Sequence, residues 1–583
     1  MQHIRSNPSS FLAFLAVKGT RLVSFVTLSS WMLAETLWFP YYLWTVKRLQ
    51  QRHPAYHATS DFASRKSLVL KCLDSLDLAA STAAATTPGE AVDARVDIKT
   101  AYLKKVIEGW FLGAEFSTIR KENMKSWVAW AFLDQDLLLL DKDAASQVDA
   151  LVKIIESRMN YLFPAGRNDA VKCIRLTLDP VQAAHRPLIY YGVCKTVNKL
   201  SHLLLRKFGF YQRTLDPMDV AGSGTLNYLY RPATEPVPAN ALPIVFIHGI
   251  GVGFAAYIPL IAHLPRNVPI YLIEWPHVSM QLAEEVPTIP DTLAFITGML
   301  DRDHHAKASF VAHSLGTVAV SWILNSPLHK GRVGSVVLLD PVTFLLCDPA
   351  IAYNFLYRPP STALELLMNY FVSREMYIAN SLSRHFHWSK NVLFHEDLPV
   401  AKPGLRNIVV LSEEDAIVPS PRVKAYLEGS NDSAVGSAVP TEIDYHEGRN
   451  HGEMLFRPRL LLSTIEQIRQ ACGSLPSIPT PPPPTPASVT GKPTYLSQPL
   501  TLSLASPPPS ALPATTKAPA VFPGQLRKSQ LHNRRSAPPA TSKEPAWTLT
   551  QTLSQTDAAG KSTARILLVP ARGKNSARKS VVV

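Results

Sequence analysis

The chain has 583 residues and a formal net charge of +14, with 46% hydrophobic and 18% charged side chains. That balance belongs to a globular protein with room for two or more domains. The charge is uneven: residues 473–583 hold 13 Lys/Arg against 2 Asp/Glu, which is +11 of the net +14 and leaves +3 for everything before them. The basic character is therefore a property of the tail, and no nucleic-acid partner is expected for the rest. Cys72, Cys173, Cys194, Cys347 and Cys472 are scattered, odd in number and without CxxC spacing. They suggest neither a disulfide framework nor a metal site, and free thiols fit a reducing compartment.

Residues 1–60 read as a membrane anchor. The run 22–46 carries one charge, Glu35, and ends in Trp38, Tyr41, Tyr42 and Trp44, which is length enough to cross a bilayer with aromatics at one interface. Lys47, Arg48 and Arg52 follow and favour a cytosolic catalytic side, in a single-pass or monotopic arrangement. The rival reading is an organelle address, mitochondrial or plastid, because no acidic residue precedes Glu35.

Residues 61–223 read as a helical region, with Leu103, Val106 and Trp110 at helical spacing and Trp127 and Trp130 about one turn apart. Within it, Lys195, Lys199, His202 and Arg206 line one face of a helix over 188–208, and Val193, Val197, Leu200, Leu204 and Phe208 another. Such a basic amphipathic helix suits an anionic membrane interface or a surface helix packed on the core.

From Leu226 the pattern alternates. Short apolar β-formers at 242–247, 268–275, 308–311, 333–339 and 407–411 are separated by helical stretches such as 290–301 and 317–324. Continuous apolar strands alternating with helices predict an α/β fold, a doubly wound and mostly parallel sheet over 224–472. The alternation lapses over about 342–404 into an aromatic-rich insertion, where a helical cap or lid is expected. After Cys472 the Pro-, Ser- and Lys/Arg-rich tail 473–583 lacks apolar periodicity and is expected to be disordered, its Pro runs offering a route to protein partners.

The chemistry centres on Ala312-His313-Ser314-Leu315-Gly316 between a strand and a helix. This is the small-x-Ser-x-small elbow, which exposes a serine at the top of a sheet and aims the first helix N–H groups at its target. A nucleophilic serine also needs a base, a group that orients the base and donors for the oxyanion. Asp415 lies just past the 407–411 strand and His451 past a β-like stretch at 441–445, so Ser, acid and His arrive in the order such sheets use. The oxyanion donors are expected to be the backbone N–H groups of Leu315 and of Ile250, the latter in His248-Gly249-Ile250-Gly251 after the 242–247 strand. These glycines are spaced G-x-G-x-G and so do not form a dinucleotide loop. Asp340, at the end of the preceding strand, is the alternative acid. His248 reads as a brace for the oxyanion loop, His313 as a packing residue, His446 as structural or exposed, and His304 and His305 as solvated.

Phe246-Ile247-His248-Gly249-Ile250-Gly251, Ala312-His313-Ser314-Leu315-Gly316, Leu339-Asp340-Pro341, Asp415 with Pro419, and His451-Gly452 together resemble the α/β-hydrolase superfamily over roughly residues 224–472. More narrowly, the chain resembles membrane-anchored fungal and algal α/β-hydrolases of mostly unassigned substrate. The resemblance implies a Ser–Asp–His triad acting on ester, thioester or amide substrates, with no metal or organic cofactor. Ala312 departs from the usual Gly yet is small enough for the elbow. No His-x-x-x-x-Asp run occurs, which weighs against the lysophospholipid acyltransferase branch, and Ser314 replaces the Asp nucleophile of epoxide hydrolases and haloalkane dehalogenases. The expected activity is hydrolysis of a lipid-like ester at a membrane. The alternatives are acyl transfer on the same triad, or an inactive membrane scaffold whose tail recruits partners.

Overall fold

The computed structural model describes residues 8–51, 61–85, 92–215, 226–400, 402–433 and 440–474, with three further segments at 547–556, 562–570 and 579–582. The centre is an eight-stranded sheet: β1 (Tyr211–Arg213), β2 (Asn227–Arg231), β3 (Ile244–Ile247), β4 (Ile270–Glu274), β5 (Ala308–His313), β6 (Val333–Leu339), β7 (Ile408–Ser412) and β8 (Glu442–His446). The order across the sheet is β1-β2-β4-β3-β5-β6-β7-β8. The first three strands in that order pair antiparallel, and every pairing from β4 to β8 is parallel. The middle strands β3, β5, β6 and β7 are buried along their whole length, as strands covered on both faces must be, and this is why they read as unbroken apolar runs. β1 and β2 were not evident as strands, since Tyr211–Arg213 is three residues long and carries no alternation.

The bilayer-crossing anchor expected over 22–46 is corrected by the structure: among the described residues no helix is long and apolar enough to cross a membrane. The residues in question belong to α1 (Pro8–Leu49), which runs unbroken through Pro40. Ser24, Ser29, Ser30, Glu35 and Thr36 interrupt its apolar run. Its last turns are docked on the body of the protein. Trp38, Tyr42 and Leu49 are buried with Tyr191, Met376 and Tyr377 in one cluster. Trp38 Nε1 donates to Arg186 O at 2.7 Å, and Arg48 pairs with Glu284. Glu35, an expensive residue in a bilayer, instead accepts from the N–H groups of Leu188 (2.9 Å) and Ile189 (3.2 Å). It thereby satisfies the free donors that begin α6 (Leu188–Lys207). The single-pass or monotopic placement, its cytosolic orientation and the organelle-membrane alternative lose their basis with the anchor.

Between them lie α2 (Phe62–Ala85), α3 (Val92–Trp110), α4 (Lys121–Leu133) and α5 (Lys142–Met159). They share one continuous apolar core with the sheet, running from Val69 through Trp110 and Trp130 to Phe310, Phe344 and Leu427. The helical region is thus packed into the same unit as the sheet. The boundary expected at 223/224 lies outside the described residues. α6 packs through Tyr191, Cys194, Ser201 and Leu205. Of the apolar face expected to meet either a membrane interface or the core, Val193, Leu200 and Leu204 are exposed. Its His202 turns inward, with Nε2 at 2.6 Å from Glu274 Oε1.

The insertion after β6 is a set of short helices, Ala363–Met368, Met376–Asn380 and Trp388–Asn391, joined by wide π-type turns at Tyr353–Tyr357, Asn369–Ser373 and Ser381–His385. Most of the tail lies outside the described residues. Within it, β9 (Trp547–Thr556), β10 (Ser562–Pro570) and β11 (Lys579–Val582) form an antiparallel sheet in the order β11-β10-β9. Their Thr-, Leu- and Val-rich runs carry the β propensity that the tail's average composition conceals.

Candidate active site

β5 delivers the nucleophile candidate. The strand ends at His313, a single turn spans Ser314–Gly316, and α7 (Thr317–Asn325) starts at once. Ser314 sits at φ +52°, the left-handed region that a non-glycine residue adopts at a cost. The turn has no room to relax. A Cβ on Gly316 would stand 2.4 Å from Ile247 O, and one on Gly249 would stand 2.8 Å from Ser314 Cβ. These two glycines let the oxyanion loop and the elbow press together, which is what the sequence pattern requires of them.

The structure brings Ser314, His451 and Asp415 into one hydrogen-bonded line. His451 Nε2 is 2.8 Å from Ser314 Oγ, and His451 Nδ1 is 2.6 Å from Asp415 Oδ2. Both distances are within direct proton-transfer reach. Asp415's other oxygen accepts from the N–H groups of Ile417 (2.8 Å) and Val418 (2.9 Å), so the carboxylate is fixed before it meets the imidazole. Burial works against a charge on His451, but the charge and hydrogen bond of Asp415 outweigh it and hold the imidazole up at about 9. Asn450, which no motif marks, clasps the two loops: its Oδ1 accepts from Ala416 N at 3.1 Å and from His451 N at 2.7 Å.

Asp340 lies beside this line and does not contact His451 Nδ1. It is fully buried at φ +40° and accepts from Ser412 N (2.9 Å), Ser412 Oγ (3.1 Å) and Gly452 N (2.7 Å). Burial pushes its carboxyl up, the charge on His451 draws it back, and Asp415 raises it further. The alternative acid therefore grips the residue that follows His451. The ligand atoms of Asp340, Asp415 and His451 lie within 4.8 Å of one another, a grouping that could hold a cation. However, both ring nitrogens of His451 are already engaged, by Asp415 and Ser314.

The Gly249 loop after β3 is braced by two buried histidines. Trp275 N donates to His248 Nε2 at 3.1 Å, which places the ring proton on Nδ1, where it meets Gly249 O at 2.7 Å. His313 joins a relay: its Nδ1 is 2.8 Å from Tyr257 Oη, and Gly249 N donates to the same oxygen at 2.9 Å. Burial, then the neighbouring His451 and His248, hold His313 well below the usual histidine range. Tyr257 was missed from sequence because nothing in its local run marks it. His446 ends β8 with Nε2 at 3.0 Å from Asp444 Oδ2, away from the line.

Ser314 opens into a solvent-open cleft of about 450 Å³ of atom-free space, the solvent at its mouth included. Leu315 and Ile250 flank the serine there, Phe355, Leu382 and Phe386 come from the cap, and Leu176 comes from the segment between α5 and α6. Apart from Ser314 every lining residue is apolar.

No family model matches the sequence, and no curated protein matches it. Solved structures with a similar fold are esterases, lipases and related hydrolases. A carboxyl esterase from the fungus Tuber melanosporum is 20% identical, over 46% of this chain and 87% of its own, at a TM-score of 0.33. The naproxen esterase of Bacillus subtilis is 17% identical over 48% and 96%, at 0.32. A bacterial membrane phospholipase A is 12% identical over 48% and 93%, also at 0.32. The narrower resemblance to membrane-anchored fungal and algal hydrolases is not shown by these neighbours.

Proposed function

We propose that this protein is a serine hydrolase that cleaves a carboxylic ester with an apolar, lipid-like acyl group. The observation that carries this reading is the continuous line from Ser314 Oγ through His451 to Asp415, at 2.8 and 2.6 Å, built on a strained elbow. His451 Nε2 takes the Oγ proton as Ser314 attacks the ester carbonyl, and returns it to the leaving alcohol. Asp415 fixes the imidazole with Nδ1 protonated and stabilises the imidazolium. The N–H groups of Leu315 and Ile250, both flanking Ser314 in the cleft, hold the oxyanion. A water activated by the same imidazole then releases the acyl group from Ser314. The lipid-like preference rests on the apolar lining of the cleft, since a charged acyl tail would lose its hydration there without a partner.

Labelling with a fluorophosphonate probe tests the reading, with wild type beside Ser314→Ala and His451→Ala. Labelling is expected in wild type and lost in both variants. A folded wild-type protein that neither labels nor hydrolyses p-nitrophenyl esters would sink it.

A further inference from the structure

The cleft above Ser314 is bounded partly by a segment that precedes the sheet in sequence. Leu176 reaches it from the irregular stretch between α5 and α6 and is itself almost entirely buried. Its neighbours are held from two directions. From the helical region, Trp110 O accepts from Ile174 N at 2.8 Å, and Trp130 Nε1 donates to Thr177 Oγ1 at 2.8 Å, with Thr177 in turn bonded to Asp134. From the cap, Arg384 Nη1 donates to Asp179 O at 2.9 Å and Thr177 O at 3.3 Å, and Tyr357 Oη donates to Asp179 Oδ2 at 2.6 Å. Arg175 N closes the turn onto Asp179 Oδ2 at 3.0 Å.

A residue pinned through this many bonds on both sides cannot swing aside as a gate does. It acts as a fixed wall, and a fixed apolar wall selects by size. We infer that Leu176 is a specificity-determining residue of the Ser314 cleft, limiting the bulk of the uncharged apolar chain that lodges beside the reacting ester. The helical region before the sheet then contributes to substrate choice as well as to the core. This rests on the serine-hydrolase reading above.

The test uses the full chain as wild type, Leu176→Ala and Leu176→Trp, with p-nitrophenyl esters from acetate to laurate and an alkyl acetate series. Fluorophosphonate labelling of Ser314 runs in parallel. The quantity read is the ratio of kcat/KM for long over short chains. It is expected to fall at least about tenfold in Leu176→Trp and to rise in Leu176→Ala, in whichever series places its chain in the cleft. If the Trp variant does not fold, the Ala ratio decides alone. Variants that label and hydrolyse with the wild-type ratio in both series overturn the inference while leaving the serine reading intact. Absence of labelling and hydrolysis in wild type removes both.

Discussion

In the loops after β5, β7 and β8, position is set by hydrogen bonds to single atoms. Asp415 is held by two backbone N–H groups, Asn450 ties the Asp415 loop to the His451 loop, and Asp340 fixes Gly452. In the cap and in the stretch that carries Leu176, the same cleft is bounded by methyl and phenyl groups, which meet a bound molecule through shape and volume and offer it no directional bond. Hydrogen bonds are directional and fail when one atom is changed, whereas apolar packing degrades gradually with volume. Polar loops are therefore expected to respond to substitution in rate, and the apolar wall in choice of substrate.

The largest effect sharpens the first half of that contrast. Removing the nucleophile or base, as in Ser314→Ala or His451→Ala, is expected to lower kcat by about 10⁴-fold or more, measured by ester turnover. Asp340→Asn comes next. The amide keeps a single acceptor oxygen, which can serve Ser412 N or Gly452 N but not both, so the support beneath His451 is weakened and kcat is expected to fall about 100-fold with KM little changed. Asp340 also helps to hold the charge on His451, so the same variant is expected to shift the pH–rate midpoint downward, which loss of folding alone would not do. With its imidazole held up at about 9, His451 is expected to carry a proton below that value. Only its neutral form can accept the serine proton, so kcat/KM is expected to rise about tenfold per pH unit below that value and level off above it. A profile already flat at pH 7 would contradict the strength of the Asp415 contact. The smallest expected effect on rate is that of Tyr257→Phe, after β3, which removes the hydroxyl shared by Gly249 N and His313. A drop of about tenfold in kcat is expected, read from the same turnover assay. These effects on rate contrast with the change in chain-length preference expected at Leu176.

What could be read from sequence follows the same division. Ser314, Asp415 and His451 each stand just beyond a strand, and an unbroken apolar strand ending in a polar loop is a local pattern. The sheet and the strand-end loops were legible for that reason. Tyr257, Asn450 and Leu176 act through partners distant in sequence or through shape, and no run of neighbouring residues announces them. α1 misled for a related reason. Its Leu, Trp and Tyr content is that of a bilayer segment, but Glu35 caps a helix 153 residues away, and Trp38 is buried against the body of the protein. Composition reports how apolar a stretch is, and not what it is packed against.

Arg384 has a consequence for how the chain is assembled. Its guanidinium reaches Gln50 O (3.3 Å), Thr177 O and Asp179 O, joining the end of α1, the wall of the cleft and the cap at one side chain. These contacts close loops of 334, 207 and 205 residues. A ribosome delivering the chain from its N-terminus exposes α1 and the Leu176 stretch long before their shared partner is synthesised. Contacts of such long range are slow to form and make no gain until the intervening loop is closed. The cleft is thus among the last parts of the protein to take shape, and until then the apolar surfaces that will line it stand open to chaperones and to aggregation.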